Sequence, residues 1–187
     1  DGTVQPATDG TEDRLLFVDP ARGPAWLVGG SGVVVRRIAM DLDAWDRADR
    51  TARENSIGRT LADGAPMAIA SGSGAAATPD LAKADAAGFP VIDTFSHLRR
   101  ARPAGAADRF LRRPYNYDDQ PRGGQGADTG LIFVGYAADI TAQFLPVQAR
   151  LATVDLLNLW TTPVGSAVFA VLPGARDGEI LGQSLLS

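Results

Sequence analysis

There is no cysteine among the 187 residues and only one histidine, His97. The first absence removes disulfides, thiolate nucleophiles and iron–sulfur clusters together. The second argues against zinc, which draws three or four Cys, His or carboxylate ligands. The chain also lacks any run of about 18 apolar residues, so no segment reads as a membrane span. It has no basic excess: the formal net charge of −4 argues against a nucleic-acid partner. The opening DGTVQPATDGTED is polar and carries neither Met nor a signal-peptide pattern, and so reads as the start of a processed or trimmed product.

What is present is an ordinary globular composition, with 45% hydrophobic and 21% charged residues, long enough to bury a core. Residues 1–187 read as one domain, loop-rich at 1–13 and 62–80. Val33–Met40 is β-branched and bounded by glycines, which predicts a strand. DLDAWDRADRTARENSIGRTL predicts one helix capped at Asp41 or Asp43, with Leu42, Trp45, Ala48 and Ala52 on one face. A short helix is expected near Leu81–Ala87, and His97 is expected in irregular chain after it. RFLRRPYNYD and LIFVGYA (131–137) read as strands, joined by the Gly-rich DDQPRGGQGADTG. DITAQFLPVQARLATVDLLNLW predicts a helix with Pro146 near its first turn, and GSAVFAVLPG a last strand. This β-α-β-β-α-β order implies an α+β, ferredoxin-like fold, an antiparallel sheet with helices on one face.

A lone histidine is most often a core or surface residue, and at this level that reading stays open. The common cofactor that needs a single protein imidazole is haem, whose porphyrin supplies the equatorial ligands. Phe95, Leu98, Phe110, Leu131 and Phe133 are available as apolar walls, and Arg99, Arg102 and Arg112 as cations for its propionates.

Six stretches in one order carry a family resemblance: DGTVQP, WLVGGSGVVVRRIAMDLDAWD with IGRTLADGAPM, SHLRRARP, FLRRPYNY, GLIFVGYAADITAQFLPVQARLA and GSAVFAVLPG. Together they resemble the C-terminal half of dye-decolorizing (DyP-type) haem peroxidases, nearly end to end. The resemblance implies haem b as cofactor, with His97 as axial iron ligand. It makes Asp1 the distal aspartate and Arg112 the distal arginine, sets Gly2, Thr3 and Val4 against the haem edge, and brings Arg102 near a propionate. Leu131 and Phe133 would line the pocket. It further implies hydrogen peroxide as oxidant and a small organic substrate as electron donor. A carboxylate such as Asp1 would shuttle the peroxide proton, and Arg112 would stabilise negative charge on the departing oxygen. Export through an upstream leader and a cytoplasmic location both remain open.

Two departures stand out. The distal motif is cut at Asp1, which predicts a heterodimer whose other chain is the N-terminal half of the same precursor. The family's Leu-Asn-Glu-Tyr stretch is here Leu157-Asn158-Leu159-Trp160, so a carboxylate partner for the axial imidazole is expected to be missing; Asp155, one helical turn away, is the available substitute, though its side chain is expected to point elsewhere on the helix. That predicts weak peroxidase activity, a role specialised for one metabolite, or a haem carrier or sensor with little turnover.

Overall fold

The structure is a computed structural model and describes residues 11–70, 72–105, 107–119 and 127–186. Its elements follow the expected order, with changes where local chemistry overrides periodicity. A one-and-a-half-turn helix α1 (Thr11–Leu16) interrupts the opening expected as loop. Strand β1 (Ser31–Met40) grows from the Val33–Val35 run. The single helix expected after it is two, α2 (Leu42–Arg47) and α3 (Arg50–Ile57). The break has a cause: Asp41 and Asp49 each cap a helix, accepting from the backbone N–H of Ala44 and Ala52 at 2.8 and 2.9 Å. Ala48 between them is extended.

Chain contacts divide the protein into two compact units. The first comprises Ala39–Arg102 and Val147–Thr162. It holds α2, α3, the long connection 58–96, helix α4 (His97–Ala101) and the end of helix α5 (Ile140–Val154). No helix forms at Leu81–Ala87. Asp80 and Asp85 instead take backbone N–H groups of Ala82, Lys83, Ala87 and Phe89 with their side chains, a local bonding that competes with helix. Ile92 and Ser96 are fully buried. Gly58 ends α3 with φ +82°, and a Cβ there would meet Ser96 Oγ, Ile92 Cγ2 and Leu98 Cβ at 3.0–3.1 Å. Glycine therefore lets α3 end directly against the segment that bears His97.

The same connection is pinned by Asp63. Thr60 Oγ1 and the N–H groups of Ala65 and Gly72 all donate to its carboxylate. The Thr60 hydroxyl foremost, then the Ala65 amide, lowers its pKa to about 2. A carboxyl whose folded pKa is depressed stabilises the fold above its unfolded pKa of about 4 and loses that contribution as pH falls towards 2. Hydrogen exchange of residues 60–72, taken relative to the intrinsic rate at each pH, is accordingly expected to be flat from pH 7 to about 4 and to rise below it. In Asp63→Asn it should be raised at every pH, with no such acid step. An acid step that survived in Asp63→Asn would assign it to another group.

The second unit comprises the described residues up to Ile38, Pro103–Pro146 and those from Pro163 onward. It holds most of the five-stranded sheet, ordered β2-β4-β1-β5 with β3 also on β4. The strand expected over RFLRRPYNYD appears as β2 (Leu111–Arg112) and β3 (Tyr115–Asp119), both antiparallel to β4 (Asp128–Ala137). Arg112 lies opposite Gly135 and Tyr115 opposite Ile132, so two residues separate the pairs on each strand and the register is unbroken. Pro114, which has no N–H to give, makes the gap. Strand β5 (Thr161–Val171) is an edge strand next to β1. The sheet order, with β1 and β4 central, is that of a split β-α-β, ferredoxin-like α+β fold.

Phe110, Phe133 and Phe144 form an aromatic cluster at centroid distances of 5.6–6.2 Å, joining the start of α5 to the sheet. Pro146 lies inside α5, not in its first turn, and removes one backbone hydrogen bond there. The helix ends at Val154, six residues short of the expected Trp160, because Asp155 is extended and starts a 3-10 turn over Leu156–Leu159.

Candidate functional site

His97 does not sit in irregular chain. It is the first residue of α4, a single turn preceded by the buried Ser96, whose Oγ donates to the Asp93 carbonyl at 2.8 Å. Its Nδ1 lies 2.6 Å from Asp155 Oδ2. The carboxylate accepts only, so Nδ1 carries a proton, and in the neutral ring it is Nε2 that presents the lone pair. Asp155 is buried, its side chain 3% exposed, whereas the imidazole is 35% exposed. The other Asp155 oxygen accepts from Leu157 N at 3.0 Å, so each carboxylate oxygen has a separate task.

This corrects the expectation of an unpartnered imidazole. Leu159, 71% exposed, does not matter, because Asp155 supplies the carboxylate. Helical spacing pointed Asp155 elsewhere, but at φ −68°, ψ 120° it has left the helix. The signal available was an acid directly after the last apolar position of a helical pattern, a place where Asp serves as a cap.

Arg99 is also corrected. Its guanidinium is spent on backbone carbonyls, Ile92 at 2.7 Å and Leu81 at 3.0 Å, and so holds the long connection rather than facing a ligand. Arg102, exposed at the end of α4, makes no side-chain bond among the described residues. Leu98 and Phe95 flank His97, and Arg100 stacks over the Phe95 ring at 5.2 Å.

In the sheet unit, residues directly opposite on antiparallel strands share a face. Arg112, opposite Gly135, therefore lies on the same face of the sheet as Phe133 and Leu131. The other face carries Tyr117, Asp119 and Asp128, where Arg37 bonds both carboxylates at 2.8 and 3.0 Å and stacks on Tyr117 at 3.9 Å. The sequence analysis passed over that network, which staples β1, β3 and β4 and leaves the Arg112 face without those charges. Asp1, Gly2, Thr3 and Val4 lie outside the described residues.

As a donor set, His97 fits a metal that brings other ligands with it. Among the described residues no three His, Asp or Glu groups gather around a metal position, and Nε2 has no hydrogen-bond partner. The one imidazole is oriented and its tautomer set by a buried carboxylate, the arrangement found behind metal-bound histidines.

Comparisons with known proteins agree in one direction. Residues 1–176 match the family model described as Dyp-type peroxidase, C-terminal. The chain is 43% identical over 192 residues to the dye-decolorizing peroxidase of Thermobifida fusca, covering all of this chain and 44% of that protein. It superposes on the crystal structure of a DyP-type peroxidase from Cellulomonas bogoriensis with a TM-score of 0.89 and 52% identity, covering all of this chain and 50% of that one. An oxyferrous/water mixed complex of DtpA from Streptomyces lividans also matches with a TM-score of 0.89, at 40% identity, covering all of this chain and 51% of that one. The chain thus spans about half the length of these relatives. A sole imidazole backed by a buried aspartate and, separately, a sheet of split β-α-β order accompany a family match that takes in 176 of the 187 residues, and the chain belongs to the Dyp-type peroxidase family, in its C-terminal part.

Proposed function

We propose that this chain forms the haem-binding half of a peroxidase that uses hydrogen peroxide to oxidise a small organic donor. The observation that carries the reading is the His97–Asp155 pair with its free Nε2. Haem b, when bound, supplies a redox iron at which peroxide is reduced to water and substrate electrons are taken one at a time. His97 Nε2 holds the iron, and Asp155 keeps the ring in the tautomer that can do so. Arg102 offers a cation to a haem carboxylate. On the sheet, Arg112 provides positive charge for the departing peroxide oxygen, with Leu131 and Phe133 as apolar lining beside it. Asp1 acts as the proton carrier, with Gly2, Thr3 and Val4 against the haem edge.

The second part of the proposed enzyme is an N-terminal half, a reading supported by the 44% and 50% of two relatives' length that this chain covers. Support for a partner surface comes from β5, where Val164, Val168 and Phe169 are each more than half exposed. We place the two halves on separate chains cut from one precursor. The intact mass of protein made from the full gene tests this: two masses are expected, and one uncut polypeptide overturns cleavage.

With Asp155 behind His97, the argument for a weakened ligand no longer holds. Turnover is therefore favoured over a carrier or sensor role, and the case for specialisation on one metabolite loses its main support. The test is the absorption spectrum of the full-length protein together with dye or phenol oxidation on adding peroxide. A Soret band and peroxide-dependent turnover are expected. A colourless protein would end the haem reading, and a coloured one without turnover would establish the carrier.

A further inference from the structure

Helix α4 is five residues long, too short to hold itself in water, and its last carbonyls have no partner within the helix. Its N-cap Ser96 makes no side-chain cap bond. What fixes its direction must come from outside. At its start that is Asp155, bonded to His97. At its end it is Arg150, whose Nη2 donates to the Arg102 carbonyl at 3.1 Å while Nε points at the Arg100 carbonyl at 3.5 Å. Arg150 lies on α5 five residues before Asp155, so one segment grips α4 at both ends.

We propose that Arg150 is a positioning residue for His97, the second point of a two-point clamp that fixes the tilt of the imidazole and the place of Arg102. The inference rests on the haem reading above for its purpose, though not for its geometry. The bonds of His97 to Asp155 and of Arg99 to the Ile92 and Leu81 carbonyls hold the start and middle of the short helix and leave its end free to swing. Arg150, bonded to the Arg102 carbonyl, removes that freedom. Guanidinium suits the task because its fixed fork can serve two carbonyls, whereas an ammonium serves them only as a point charge.

The test uses the full-length protein with Arg150→Met and Arg150→Lys. Hydrogen exchange of the amides at 98–102 reads the clamp, and the iron–histidine stretching band of the ferrous protein reads its effect. Arg150→Met is expected to speed that exchange about tenfold, the equivalent of one charge-assisted hydrogen bond, and to shift or broaden the band. Arg150→Lys should return both part of the way. Unchanged exchange and an unchanged band in Arg150→Met would overturn the proposal, as would a general rise in exchange across the whole unit in both variants. Faster exchange at 98–102 in a protein whose wild type shows no iron–histidine band would sink the haem reading and leave the clamp standing.

Discussion

Replacing His97 by alanine is expected to abolish axial ligation of haem and peroxide-dependent turnover together. No second imidazole or thiolate exists anywhere in the chain to take over the iron. The loss should therefore exceed the roughly 10–100-fold that follows removal of a group behind a metal ligand. The substitution also strands the buried Asp155, which keeps only its bond from Leu157 N. A cost of about 1–3 kcal/mol in stability is expected from that lost partner. Free imidazole added to the variant should restore the ligand bands, because it can occupy the space beside the same carboxylate. A His97→Ala protein whose spectrum matched wild type would remove His97 from the site.

Asp155 gives the second large effect, and two substitutions separate its two tasks. Asparagine is as good a cap as aspartate, so Asp155→Asn should retain the 3-10 turn over Leu156–Leu159. It removes the charge that draws the Nδ1 proton and makes the imidazole a stronger donor. Turnover is expected to fall about 10–100-fold with the thermal midpoint little changed, and the iron–histidine band to move to lower frequency. Asp155→Ala should show the same spectral change and lose roughly 1 kcal/mol of stability besides, through the missing cap. If Asp155→Asn turned over like wild type, the carboxylate would be a structural cap and nothing more.

How far the sequence could be read depended on the kind of interaction involved. Strands β1 and β4 were legible because β-branched and apolar runs between glycines have few other uses, and from them the sheet order followed. His97 was legible as the chain's only imidazole, and six motifs in register gave it a role. The division of α2 from α3 was not, since Asp49 reads equally well as a surface residue on one long helix until its side chain is seen on Ala52 N. The same competition between side chain and backbone erased the helix expected at Leu81–Ala87. Asp155 was misread for a related reason: its direction was inferred from a helix that had already ended. Arg99 and Arg102 are alike in sequence context, and only the carbonyls of Ile92 and Leu81 distinguish the structural one from the free one.

Strand β5 carries a consequence for handling the protein. Along one border of the sheet it offers eleven residues of backbone with Val164, Val168 and Phe169 exposed, and Pro163 is the only proline among them. Among the described residues nothing pairs with the outer side of β5, and an apolar border of that length invites an identical strand to add alongside it. This chain made by itself should thus gather into larger species as concentration rises, and co-production with the N-terminal half proposed above is the natural remedy.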